Sequence, residues 1–147
     1  MTTTTSTAPV TAARQRVLLA AAVAAVSAGV VNAGIALVTP ALGVPQLPQL
    51  MPAGVVAFTV VAAVVGAIGW QVVRRRSVDP RRLLMRLVPA VLAVSFVPDV
   101  ALGIATASDT GPAPVLALAL MHITTIGIAV AVYARVLPVP ARDRSAA

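Results

Sequence analysis

The sequence predicts an all-α fold, an integral-membrane four-helix bundle with both termini in the cytoplasm, and three observations predict it. Of 147 residues, 59% are hydrophobic and only 10% charged, and the mean hydropathy of +0.98 lies above the range of soluble chains. The apolar residues fall into four blocks, each close to the roughly 20 residues that cross a hydrocarbon core ~30 Å thick. All 11 basic residues are arginines, and they stand before block one (Arg14, Arg16), between blocks two and three (Arg74, Arg75, Arg76, Arg81, Arg82, Arg86) and around the end of block four (Arg135, Arg142, Arg144). With four crossings those positions share one side, which the positive-inside bias assigns to the cytoplasm. Helices follow rather than barrel strands. No block alternates apolar and polar residues, and a lone span in lipid has to satisfy its own backbone.

The elements follow in order. Residues 1–13, MTTTTSTAPVTAA, are Thr-rich, carry no charge and have little to bury, so they read as a disordered tail. The membrane domain then covers 14–140, with spans at about 17–39, 51–73, 83–106 and 114–137, and a C-terminal tail at 141–147. The first apolar block exceeds the 7–15 residues of a signal-peptide core, which makes it an uncleaved anchor. Pro40, Pro45 and Pro48 predict a stiff, extended connection, and Pro52 sits where the first turn of a helix tolerates a missing N–H. Asp79 and Pro80 turn the short inner connection, so spans two and three are antiparallel neighbours. Pro138 and Pro140 stop span four. Trp70 and Tyr133 read as interfacial anchors, Gln71 as a polar edge residue and Arg86 as a cation reaching back to the headgroups.

The residues that cost most to bury carry the functional argument. Asn32, Thr59, Asp99 and His122 come one from each span, and at ~1.5 Å per residue they share a layer a few ångströms outward of the midplane. Ser95, Asp99 and Gly103 recur at spacing four, and Ala119, His122, Thr125 and Ala129 form a small or polar stripe, so both stripes should face the bundle interior. The predicted intramembrane polar cluster is therefore Asn32, Thr59, Ser95, Asp99, His122 and Thr125. An ionised aspartate at that depth costs ~2.5–3.5 kcal/mol on insertion scales, so Asp99 should be protonated or partnered, and His122 is the chain's one histidine. One proton shared between them is the expectation. Pro98 beside the acid should kink span three.

Between helices in lipid, close packing of small residues replaces the hydrophobic driving force. Ala25, Gly29 and Ala33 in span one and Ala62 and Gly66 in span two offer such stripes, for packing within the bundle or, alternatively, between copies in a homo-oligomer. Other classes are excluded on composition. The chain has no cysteine, hence no disulfide, iron–sulfur or Cys-type zinc site, and one histidine cannot make a bis-histidine haem. No metal and no cofactor is expected. A net charge of +7 invites nucleic acid, but aromatics are 3% of the chain and the arginines follow the topology, so the partner is the lipid bilayer, with anionic headgroup contact as a secondary consequence. No phosphate-binding glycine loop, zinc-protease or nucleophile-elbow motif occurs.

The NAG of Asn32 to Gly34, the GVPQLP of Gly43 to Pro48, the S-x-x-P-D of Ser95 to Asp99 and the LALMHI of Leu118 to Ile123 together resemble an uncharacterised family of small four-span bacterial membrane proteins, a domain of unknown function. The resemblance covers nearly all of the chain after the tail. It implies the four-span topology and brings no activity, cofactor or catalytic residue. Two readings remain: a structural or accessory membrane protein whose polar cluster sets helix packing, and a small proton-linked transporter or channel subunit that uses Asp99 and His122 on a substrate the sequence does not name.

Overall fold

Lipid offers a backbone no partner but itself, and the chain answers with helices. The computed structural model describes residues 8–139. It contains α1 (Ala8–Val38), α2 (Pro52–Arg76), α3 (Pro80–Ser95), α4 (Val97–Thr110) and α5 (Ala113–Val136), with no strand among the described residues. Four stretches are long and apolar enough to cross a membrane, and α3 and α4 together make the third of them.

The boundaries follow local chemistry. Proline opens α2, and Asp79 caps α3 by accepting a hydrogen bond from the Arg82 backbone N–H at 3.1 Å. The segment expected to be a tail is helical from Ala8 onward, because Ala8 to Ala13 can extend α1 with no break in its hydrogen bonding; residues 1–7 and 140–147, with the rest of both predicted tails, lie outside the described residues. The connection between α1 and α2 is not extended throughout. Pro40–Leu42 and Pro48–Leu50 each form a 3₁₀ turn, and Gly43, at φ 73°, ends the first in the left-handed conformation that glycine adopts at low cost.

Helices α1, α2 and α5 form the core. On α1 the buried Ala20, Ala24, Ala28, Asn32 and Ala36 repeat every four positions, with Ala21 and Gly29 buried beside them, and Val55, Thr59, Ala63 and Ala67 repeat in the same way on α2. On α5 the buried positions are Pro114, Ala117, Leu118, Met121, Thr125 and Tyr133. These seams correct the predicted packing stripes. The most buried row lies one residue away, a rotation of about 100° around each helix, while Gly29 of the predicted stripe is buried too and Ala25 packs against the core. Ala25 and Ala33 are half-buried, Gly29 is buried but a Cβ there would meet nothing within 4 Å, and Ala62 faces outward. Gly66 alone of that set makes a close approach, with its notional Cβ 3.2 Å from the Tyr133 hydroxyl.

Two apolar clusters stack along this core. One, at the end where α1 begins and α5 ends, joins Ala20, Ala24, Ala63, Ala67, Trp70 and Tyr133; the other, at the far end, joins Ala36, Leu50, Val55, Leu118 and Met121. Trp70 and Tyr133 are thus core residues rather than interfacial anchors, at 8% and 2% exposure. Their rings meet at 5.8 Å, the indole Nε1 donates to the Leu137 carbonyl at 3.0 Å, and the Tyr133 hydroxyl donates to the Ala63 carbonyl. Large aliphatic and aromatic side chains such as Leu18, Val30, Phe58, Val65 and Ile104 point outward, as a lipid-facing surface requires.

Candidate functional site

The sequence's polar residues resolve into two groups, both partnered on α5. The first is a triad between the two apolar clusters. Asn32 Nδ2 of α1 donates to Thr59 Oγ1 of α2 at 3.0 Å and to Thr125 Oγ1 of α5 at 2.7 Å. Each threonine hydroxyl donates its own proton to the carbonyl one turn back, Thr59 to Val55 at 2.7 Å and Thr125 to Met121 at 2.8 Å. Both hydroxyl oxygens therefore have to accept, and the amide NH₂ is the group that brings two protons to one point. This directionality also fixes which way the Asn32 amide faces. All three residues are buried, and Asn32 Oδ1 is left without a hydrogen bond among the described residues.

The second group is the acid and the imidazole. His122 Nδ1 of α5 lies 3.0 Å from Asp99 Oδ2 of α4 and also 3.0 Å from the Leu118 carbonyl oxygen one turn back on its own helix. A single Nδ1–H serves one of these well. It is aligned on the carbonyl, so Oδ2 is close in distance yet has no directed hydrogen bond. The Asp99 side chain is 9% exposed and that of His122 33%, and Phe96 packs edge-on against the imidazole at 5.9 Å.

A break in the third span puts the acid there. The expected kink at Pro98 takes the form of an interruption at Phe96, two residues earlier, where ψ is −14° and the Phe96 N–H shifts to the Ala93 carbonyl at 3.3 Å. The proline ring cannot share the turn with the carbonyl four residues back, so the turn before it gives way. A new helix begins at Val97 with Asp99 in its first turn, the end where a helix has spare N–H groups and a partial positive charge. The acid in an apolar run thus marks a helix start inside the span. Pro89, by contrast, lies within α3 without ending it.

The single shared layer expected from sequence is therefore two groups, which share α5 one turn apart. Ser95 joins neither: its hydroxyl donates to the Leu92 carbonyl of its own helix at 2.7 Å. Gly103 lies against Val115 and brings α4 close to α5. Missed in sequence were the Tyr133–Ala63 and Trp70–Leu137 bonds, since each has a backbone carbonyl as acceptor and no side-chain pattern announces it. No group of three or more His, Cys, Asp or Glu side chains that could hold a metal ion occurs among the described residues. What the arrangement does is fix three helices in register through Asn32 and bring a carboxylate within 3.0 Å of an imidazole that is itself hydrogen-bonded to its own helix.

Comparison with known proteins gives one result. The model of a family of unknown function (DUF6069) matches residues 11–139, and the chain belongs to that family. No curated protein and no solved structure matches it.

Proposed function

We propose that this family member is a small multi-pass protein of the bacterial inner membrane with a structural or accessory role, non-enzymatic, both termini cytoplasmic, whose polar triad sets how its helices pack. The observation that carries the reading is the pair of hydrogen bonds from one amide, Asn32, to two other helices. Interhelical bonds of this kind average ~0.6 kcal/mol and reach ~1.7 kcal/mol in membranes, too little to drive folding but enough to choose one register among several similar alanine seams. The arginines on one side of four spans support the cytoplasmic termini, and the bilayer is the partner that the outward aliphatic faces require. A second copy of the chain is the candidate protein partner, and nucleic acid is not one.

A second reading, a proton-linked transporter or channel subunit, is favoured by one specific feature, the 3.0 Å approach of Asp99 to His122 with the imidazole one-third exposed. The two readings separate in reconstituted vesicles with an imposed pH gradient. The structural reading expects wild-type vesicles to lose the gradient no faster than empty ones, and expects Asp99→Asn to leave fold and flux unchanged. A wild-type flux that Asp99→Asn abolishes in a folded protein would overturn it in favour of proton handling.

A further inference from the structure

At the end of the bundle where α1 begins and α2 ends, a cleft of about 330 Å³ opens between α1 and α2, lined by Ala12, Ala13 and Arg16 on one wall and Gln71, Arg74 and Arg75 on the other, with Leu137 beside them. Three guanidinium groups line it, and no carboxylate does among the described residues. Arg74 is half-buried. One of its terminal nitrogens donates to Gln71 Oε1 at 2.9 Å, while its Nε is buried with no hydrogen-bond partner among the described residues. Such a site is unsatisfied twice over: three like charges repel one another, and a buried N–H lacks an acceptor.

We propose that this cleft binds the phosphate of an anionic phospholipid in the adjoining leaflet. A phosphate oxygen supplies the acceptor that Arg74 Nε lacks, and its charge offsets the convergence of Arg16, Arg74 and Arg75; arginine's planar fork suits phosphate geometry. The height is right. Arg74 stands one turn beyond the buried Trp70, where the apolar part of α2 ends and the headgroup region begins. Basic pockets between membrane helices bind anionic headgroups on the same principle. The helical start of α1 forms the second wall, which gives residues 12–16 a role that a disordered tail could not fill.

The test uses the full chain, purified in detergent and titrated with phosphatidylglycerol or with phosphatidylcholine of the same acyl chains, reading bound lipid by native mass spectrometry and the thermal midpoint in parallel. Wild type should retain phosphatidylglycerol in preference to phosphatidylcholine and gain stability only from the former. Arg74→Gln should weaken retention about five- to tenfold, Arg74→Lys less, and the control Arg81→Gln, outside the cleft, less than about twofold. If Arg74→Gln fails to fold, Arg16→Gln on the opposite wall carries the same prediction. Equal retention by wild type and either cleft variant, or equal loss in the control, would overturn the proposal. Displacement of the lipid by millimolar inorganic phosphate would overturn the lipid source and assign the cleft to a soluble anion.

Discussion

The three-helix core and the third span are made of similar residues and are packed very differently. Of the apolar windows of α1 and α2, 33% and 28% are buried, against 6% for the window spanning α3 and α4. Alanine-rich seams on α1 and α2 let these helices and α5 approach closely enough for one amide to reach two hydroxyls. The third span has no such seam. It carries Pro89 and Pro98, breaks at Phe96, and meets the core through few points, among them Leu84, Asp99 and Gly103. The difference teaches that hydropathy assigns residues to the bilayer, whereas the spacing of small residues decides which spans become one body. The loosely packed span is the one that carries the acid.

The comparison can be broken most decisively by overfilling the seam. Ala24 is fully buried, so Ala24→Leu should cost about 3 kcal/mol or prevent folding, whereas Val94→Leu on the exposed face of α3 should cost close to nothing, as read by unfolding in mixed micelles. Next is Asn32→Asp. It replaces the two-proton donor by an acceptor facing two acceptors and should cost about 2 kcal/mol in the same measurement, more than Asn32→Gln. Tyr133→Phe removes the hydroxyl held by the Ala63 carbonyl and should cost about 1 kcal/mol. The finest test sets two glycines against each other. A Cβ at Gly103 would lie 2.9 Å from Val115 Cγ2, and one at Gly66 3.2 Å from a Tyr133 hydroxyl that is itself anchored. If the third span yields and the core does not, Gly103→Ala should cost less than Gly66→Ala, about 0.5 against about 1 kcal/mol, despite its closer contact. The reverse order would mean that α4 is held as firmly as α2.

The four spans were legible because lipid imposes length and composition on any crossing segment. The triad residues were legible too, since Asn32, Thr59 and Thr125 are costly to leave unpartnered in an apolar run, and Asp99 pointed to His122 by the same reasoning. The packing face of α1 was not. Ala20, Ala21, Ala22, Ala24, Ala25 and Ala28 supply several equivalent small stripes, and periodicity cannot rank stripes of equal composition. Trp70 and Tyr133 misled for a different reason: their depth fits an interface, but their polar tips find backbone carbonyls that only the folded neighbours present. The position of the helix break was displaced because a proline's steric conflict lies with the turn before it.

Whether one amide ties three helices is best tested by a double-mutant cycle between Asn32→Leu and Thr125→Val, with unfolding free energies measured in bicelles. A coupling of about 1 kcal/mol between the two positions is the predicted result. Strict additivity of the two substitutions, both variants being folded, would contradict it.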